Sequence, residues 1–161
     1  MEDLNEFIGQ AKTALDEKGR TPVPREFRRL LSDEESKSLI VSFGIGESLI
    51  LWTIEEYRKF VVHIETRPAT PKNVNFRRLF KANSHLVSMD GQNRILLSKE
   101  DKSRAKLEGE VLYVARSGKS AELWNPAIYN SKFGFNTEED NQEFDDGFFD
   151  DVSLRGADEN R

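Results

Sequence analysis

The 161-residue chain contains no cysteine. That removes disulfides, thiolate catalysis and cysteine-held metal together. It has two histidines, His63 and His85. No cluster of carboxylates is evidently paired with either, so each reads as a helix or strand residue and not as a zinc ligand or base. No apolar run approaches the roughly 18–20 residues that a membrane span needs. The opening MEDLNEF is acidic and lacks the basic-then-apolar pattern of a secretory signal. Phosphate loops are missing too. SGKS at 117–120 has no upstream glycine at the required spacing, and GIG at 44–46 reads as a hairpin turn. The pairs Glu34-Glu35 and Glu55-Glu56 read as solvated faces and helix N-terminal charges. The expectation is a cytoplasmic protein that is not an enzyme and needs no cofactor or metal.

What is present is charge, unevenly placed. Charged residues make up 33% of the chain and the net charge is −5. Residues 136–161 carry ten acids and two arginines, and residues 1–135 carry 22 bases and 19 acids. The net of +3 over residues 1–135 is therefore masked by a tail of −8. That tail has no helical or alternating apolar period, which predicts disorder. Its plain role is solubility. Phe144, Phe148 and Phe149 in FDDGFFDD also fit a docking motif for a partner protein, or a decoy over a basic surface.

The chain is also built twice. DEKGR at 16–20 is followed by TPVP, a charged amphipathic stretch, an apolar run ending at Trp52, and a helix-like segment containing Tyr57. DGQNR at 90–94 is followed by ILLS, another charged stretch, a run ending at Trp124, and a segment containing Tyr129. Asp16 maps to Asp90 and Arg20 to Arg94 with an offset of 74, and both tryptophans and both tyrosines map with an offset of 72. Ordered landmarks at near-constant spacing indicate an internal repeat. The boundaries expected are 7–66 for the first copy, 67–75 for a proline-bearing linker, 76–135 for the second copy and 136–161 for the tail.

Each copy reads as β-β-α-β-β with a trailing helix, which gives an α+β class. Residues 7–15 alternate loosely into a turn cluster. Gly19 supplies the residue that tolerates positive φ, and Asn93 is the next most tolerant type at the matching place. Pro24 suits an early helix position, and Phe27, Leu30 and Leu31 form an i, i+3, i+4 stripe over 25–31. SLIVSF and ESLILW make one hairpin, and EVLYVA and SAELW another. Ser32, Thr53 and Asn125 stand where helices would start. In FRRLF at 76–80, Phe76, Leu79 and Phe80 should face the core while Arg77 and Arg78 face out. Trp52 and Trp124 end equivalent strands, which suits packing in the core or between the halves.

The turns have a chemistry of their own. An arginine directly after a tight turn projects from a rigid tip, where its planar fork can grip a phosphate or bind guanine bidentately. The aspartate four residues earlier can cap backbone N–H groups of its turn or pair with that arginine. Lys12, Lys18, Arg25, Arg28 and Arg29 gather near the first turn in sequence. Lys99, Lys102, Arg104 and Lys106 gather near the second.

These residues resemble the MraZ family, whose halves are related to the swapped-hairpin AbrB-like (SpoVT-AbrB) domains. The likeness rests on Asp16-x-x-Gly19-Arg20 followed by TPVPREFR, LILW at 49–52, FRRLF at 76–80, Asp90-x-x-x-Arg94 followed by ILL, and ELW at 122–124. It implies two pseudo-symmetric β-β-α-β-β(-α) repeats forming a barrel-like domain. It implies a bacterial transcriptional regulator, nucleoid-associated, that binds short direct repeats near its own promoter and controls the division and cell-wall gene cluster. It further implies assembly into homo-oligomeric rings. The DNA-contacting residues carried over are Arg20 and Arg94, with Lys18, Arg25 and Arg28 beside them. Asp16, Gly19, Asp90 and Asn93 carry over as turn-forming positions. The second half departs from the pattern at Asn93, at Ser98 where the first has Pro24, and at Asp101 where an apolar residue is expected. Its contact is accordingly expected to be the weaker. The alternative is an interaction module in which the turns make subunit contacts and the acidic tail recruits a partner.

Overall fold

The computed structural model describes residues 4–134. The expected disordered tail, 136–161, lies outside the described residues. The elements in chain order are β1 (Gln10–Ala14), β2 (Arg20–Pro22), α1 (Arg25–Arg28), α2 (Asp33–Lys37), β3 (Leu39–Phe43), β4 (Leu49–Thr53) and α3 (Ile54–Glu65). Then follow α4 (Pro71–Ala82), β5 (His85–Val87), β6 (Arg94–Leu96), α5 (Lys99–Arg104), β7 (Glu110–Ala115), β8 (Ser120–Trp124) and α6 (Pro126–Phe133). Two units are described separately: a body running to Pro126, and the segment from Ala127 that holds most of α6. Within α6 the rings of Tyr129 and Phe133 lie 5.3 Å apart.

The sheet order explains the duplication. Six antiparallel strands run β1-β7-β8-β4-β3-β5, and β2 pairs with β6 in a separate ribbon. Each half therefore sends its first strand to the other half. β1 pairs with β7, and β5 with β3. β4 and β8 meet at the pseudo-two-fold, with Leu51 opposite Ala121. Among the described residues the sheet does not close into a barrel, because β1 and β5 each have one neighbour and remain edges. The fold is α+β and swapped as the family resemblance implied, but open.

The apolar residues alternate with the strand period of two. Leu39, Val41, Leu49, Leu51, Val111, Tyr113, Ala121 and Leu123 point to one face, where Phe27, Val23, Ile95, Leu97 and Phe7 close over them. Tyr113 is fully buried there, and its hydroxyl bonds Thr21 Oγ1 at 3.2 Å, with Thr13 Oγ1 2.8 Å beyond. Burial pushes this phenol well above its ordinary value. The opposite face carries Ile40, Ile50 and Trp52, covered by Ile64 of α3 and Phe80 of α4. Phe80 stacks on Tyr57 at 5.5 Å, and Trp52 donates its Nε1–H to Ser42 Oγ at 2.8 Å.

Helix starts follow local chemistry. Ser32 and Glu35 form a reciprocal capping box for α2, and Ser98 and Asp101 do the same for α5. Thr53 and Thr70 cap α3 and α4. Three readings need correction. Pro71 opens a helix, so half of the expected linker is α4. Phe80 is buried, but Phe76 and Leu79 remain 39% and 48% exposed. Phe80 alone of the three is buried, and Phe76 meets the sheet only at the end of β3, edge-on to Phe43 at 6.1 Å. Last, His85 does have a carboxylate partner: its Nε2 lies 2.7 Å from Asp101 Oδ2. By the 74-residue offset Asp101 occupies the place of Phe27 and His85 that of Ala11. Where one half has an aromatic plug the other has a paired polar contact, and that pairing is why an acid is tolerated at a position 7% exposed.

Candidate nucleic-acid interface

Each Asp-x-x-x-Arg turn is held by the same hydrogen bonds. In the first, Asp16 N–H donates to the Arg20 carbonyl at 3.0 Å, and Gly19 N–H donates to the Asp16 carbonyl at 3.0 Å. Asp16 Oδ1 accepts the backbone N–H of Lys18 and of Arg20 at 3.0 and 2.8 Å, while Oδ2 accepts Arg20 Nε–H at 2.9 Å. In the second, Asp90 Oδ1 accepts from Gln92 and Arg94 N–H at 2.8 and 3.0 Å, and Oδ2 accepts Arg94 Nε–H at 2.9 Å. The aspartate thus caps its turn and aims its arginine at once. The backbone bond from Arg20, followed by its side chain and the Lys18 N–H, holds the Asp16 carboxyl below the usual range. The bonds from Arg94 and Gln92 do the same for Asp90.

Asn93 does not distort its turn. It takes φ 60° where Gly19 takes 92°, and every bond of the first turn has its counterpart. The difference is crowding. A Cβ on Gly19 would sit 2.5 Å from the Leu97 carbonyl oxygen, whereas Asn93 is exposed. Gly19→Ala is therefore expected to cost about 2 kcal/mol, from positive φ and the backbone clash together. Asn93→Gly should be near neutral. Thermal unfolding of the two variants checks this contrast.

The two turns form one surface. β2 and β6 pair so that Pro22 faces Arg94. Leu97 N–H donates to the Gly19 carbonyl at 2.8 Å, and Val23 N–H donates to the Asn93 carbonyl at 2.9 Å. Arg94 Nη1 comes within 3.9 Å of Asp16 Oδ2, so the second arginine reaches the first turn's acid. The Arg20 side chain is 35% exposed and that of Arg94 24%.

The basic residues are exchanged between halves, unlike their order in sequence. Lys102 packs beside the first turn: its Cε and Nζ lie 3.5 Å from where a Gly19 Cβ would stand. Arg28 lies toward the second, its Nε–H donating at 2.9 Å to the carbonyl of Val23, whose own N–H holds Asn93. Lys18 and Arg25 are exposed. Lys12, Arg104 and Lys106 are engaged elsewhere: Lys12 with Glu110, Lys106 with Glu47, and Arg104 over the ring of Phe43. Lys102 was not among the site residues chosen from sequence. The 74-residue offset pairs it with Arg28, but no sequence signal says that the helices cross over.

Among the described residues no group of three or more metal-ligating side chains is assembled, and no helix is long and apolar enough to cross a membrane. The arrangement offers instead a rigid, doubled arginine tip flanked by lysines.

Comparison with known proteins fits that geometry. Residues 7–78 match the family model of MraZ protein, an antitoxin-like family by its description. A protein of Mycoplasmoides gallisepticum named transcriptional regulator MraZ is 33% identical over 124 residues, covering 76% of this chain and 84% of the relative. The protein of that name from Burkholderia cenocepacia is 33% identical over 127 residues, 78% of this chain and 87% of the relative. The one from Pediococcus pentosaceus is 29% identical over 141 residues, 87% and 92%.

Proposed function

The chain belongs to the MraZ family, which is a family of transcriptional regulators and not of enzymes, and from that premise we propose that it regulates transcription by gripping duplex DNA with its paired turns. The observation that carries this reading is the single surface on which Arg20 and Arg94 are both aimed by their own aspartates. Phosphates or guanine edges are the natural acceptors for such forks. Lys18, Lys102, Arg25 and Arg28 add sequence-independent attraction to the backbone.

The finer reading follows the family. The targets are short direct repeats near the gene's own promoter, upstream of the division and cell-wall cluster. The protein works at the nucleoid in the cytoplasm, as a homo-oligomeric ring. A contact of about 3–4 phosphates per subunit is weak alone. Copies joined in a ring convert later contacts into intramolecular ones, which suits tandem repeats. Leu86 on the edge strand β5 and Leu96 on β6 are 67% and 56% exposed, which supports assembly with further copies.

The test is a titration of DNA from just upstream of the gene, against scrambled DNA, at several salt concentrations. The slope of log affinity against log salt should be near −3 per subunit. Equal affinity for scrambled DNA would remove the regulator reading. Lys102→Ala should weaken binding several-fold and reduce that slope by about 1. An unchanged slope would take Lys102 out of the interface.

A further inference from the structure

Away from the turns, α3 and α4 enclose a groove of about 350 Å³ lined by Phe60, His63, Ile64, Arg67, Lys72 and Phe76, with Asn73. Its floor is aromatic: Phe76 stacks on Phe80 at 5.8 Å, and Phe60 lies 5.1 Å from Phe80. Its rim is basic. Residues 58–81 hold seven lysines and arginines against one acid, Glu65. Lys59 and Lys81 are paired with Glu55 and Glu65. Arg58, Arg67, Lys72, Arg77 and Arg78 have no carboxylate partner among the described residues. Exposed aromatic surface favours being covered, and the cations around it select a partner that carries acids.

The chain carries the complementary chemistry. Glu143–Asp151, EFDDGFFDD, has five acids, three phenylalanines and no base, and lies outside the described residues. Phenylalanine suits the space between Phe60, Ile64 and Phe76, and aspartates suit Arg67 and Lys72. Duplex DNA fits the rim but offers the floor no more than thymine methyls.

We propose that this groove docks the Glu143–Asp151 segment of a second copy of the chain. A second copy is favoured because Val62 and Leu79, on the same two helices, are 60% and 48% exposed. That apolar surface extends past the groove, so a body is needed to cover it as well as a segment. The docking stands independently of the DNA reading.

The experiment uses the full-length chain with photoreactive benzoyl-phenylalanine at position 148, mixed with a heavy-isotope copy of the natural chain and illuminated after subunit exchange. The expected products join position 148 of the light copy to heavy peptides spanning 60–76. Arg67→Glu with Lys72→Glu in the heavy copy should cut their yield at least tenfold. Both positions are exposed, so that variant keeps its fold. Cross-links only within one copy would overturn the proposal, as would cross-links to the turns at 16–28 or 90–102, or none. An undiminished yield with the reversed charges would overturn it too.

Discussion

Alanine at both Arg20 and Arg94 is expected to lower affinity for upstream DNA by about a thousandfold or more, leaving only weak non-specific attraction. A well-placed arginine fork is worth roughly 1–3 kcal/mol, so each single variant should lose about 10- to 100-fold. Arg20→Ala should be the more damaging. Its side chain is the more exposed, and Arg94 divides itself between Asp90 and Asp16. The singles should not add simply, because removing Arg94 leaves Asp16 to Arg20 alone. Fold stability should barely change, since exposed ion pairs contribute about 0–1 kcal/mol. Fluorescence anisotropy with labelled DNA, read beside thermal unfolding, separates the two effects. A double variant binding within threefold of the parent would place the interface elsewhere.

Phe27→Ala should produce the largest loss of stability, about 3–5 kcal/mol. Phe27 is fully buried, with its ring edge-on to Phe7 at 5.6 Å, and it closes the core beneath both halves. The melting temperature should fall by roughly 10 °C for a body of this size. The transition should stay single, because β1 and β5 are each paired in the opposite half and neither half can unfold alone. Calorimetry resolving two transitions would contradict that interlock. Asp101 at the equivalent site answers to different chemistry: Asp101→Ala removes the partner of His85 and the acceptor of the Ser98 N–H together, while Ser98 Oγ still caps α5.

Much of this was legible in the sequence because it is local. Period-two alternation marked the hairpins, Gly19 and Asn93 marked the turns, and a constant offset marked the repeat. The strand exchange was not legible from spacing, since a half that folds on itself and a half that lends its first strand keep the same spacing. The misassignment of Lys102 follows from that one ambiguity. Phe76 and Leu79 fit a helical apolar stripe, but a stripe cannot say which surface it meets, and of the three only Phe80 is buried. Asp101 looked like a departure because its partner, His85, lies on strand β5, 16 residues before it. The short α2 was legible only at its start, where Ser32 reads as a cap, because its five residues are all polar.

The exchange of first strands also bears on how such a chain can change over generations. Two identical protomers swapping hairpins would read every contact twice from one codon, so any substitution would strike both sides of the axis. Joined in one polypeptide, the equivalent positions are inherited separately. Phe27 and Asp101 differ in that way: one half has an aromatic plug where the other has a charge beside a histidine. Arg20 and Arg94 remain alike while their surroundings differ. One arm of the pair can then change its contacts while the other keeps its own.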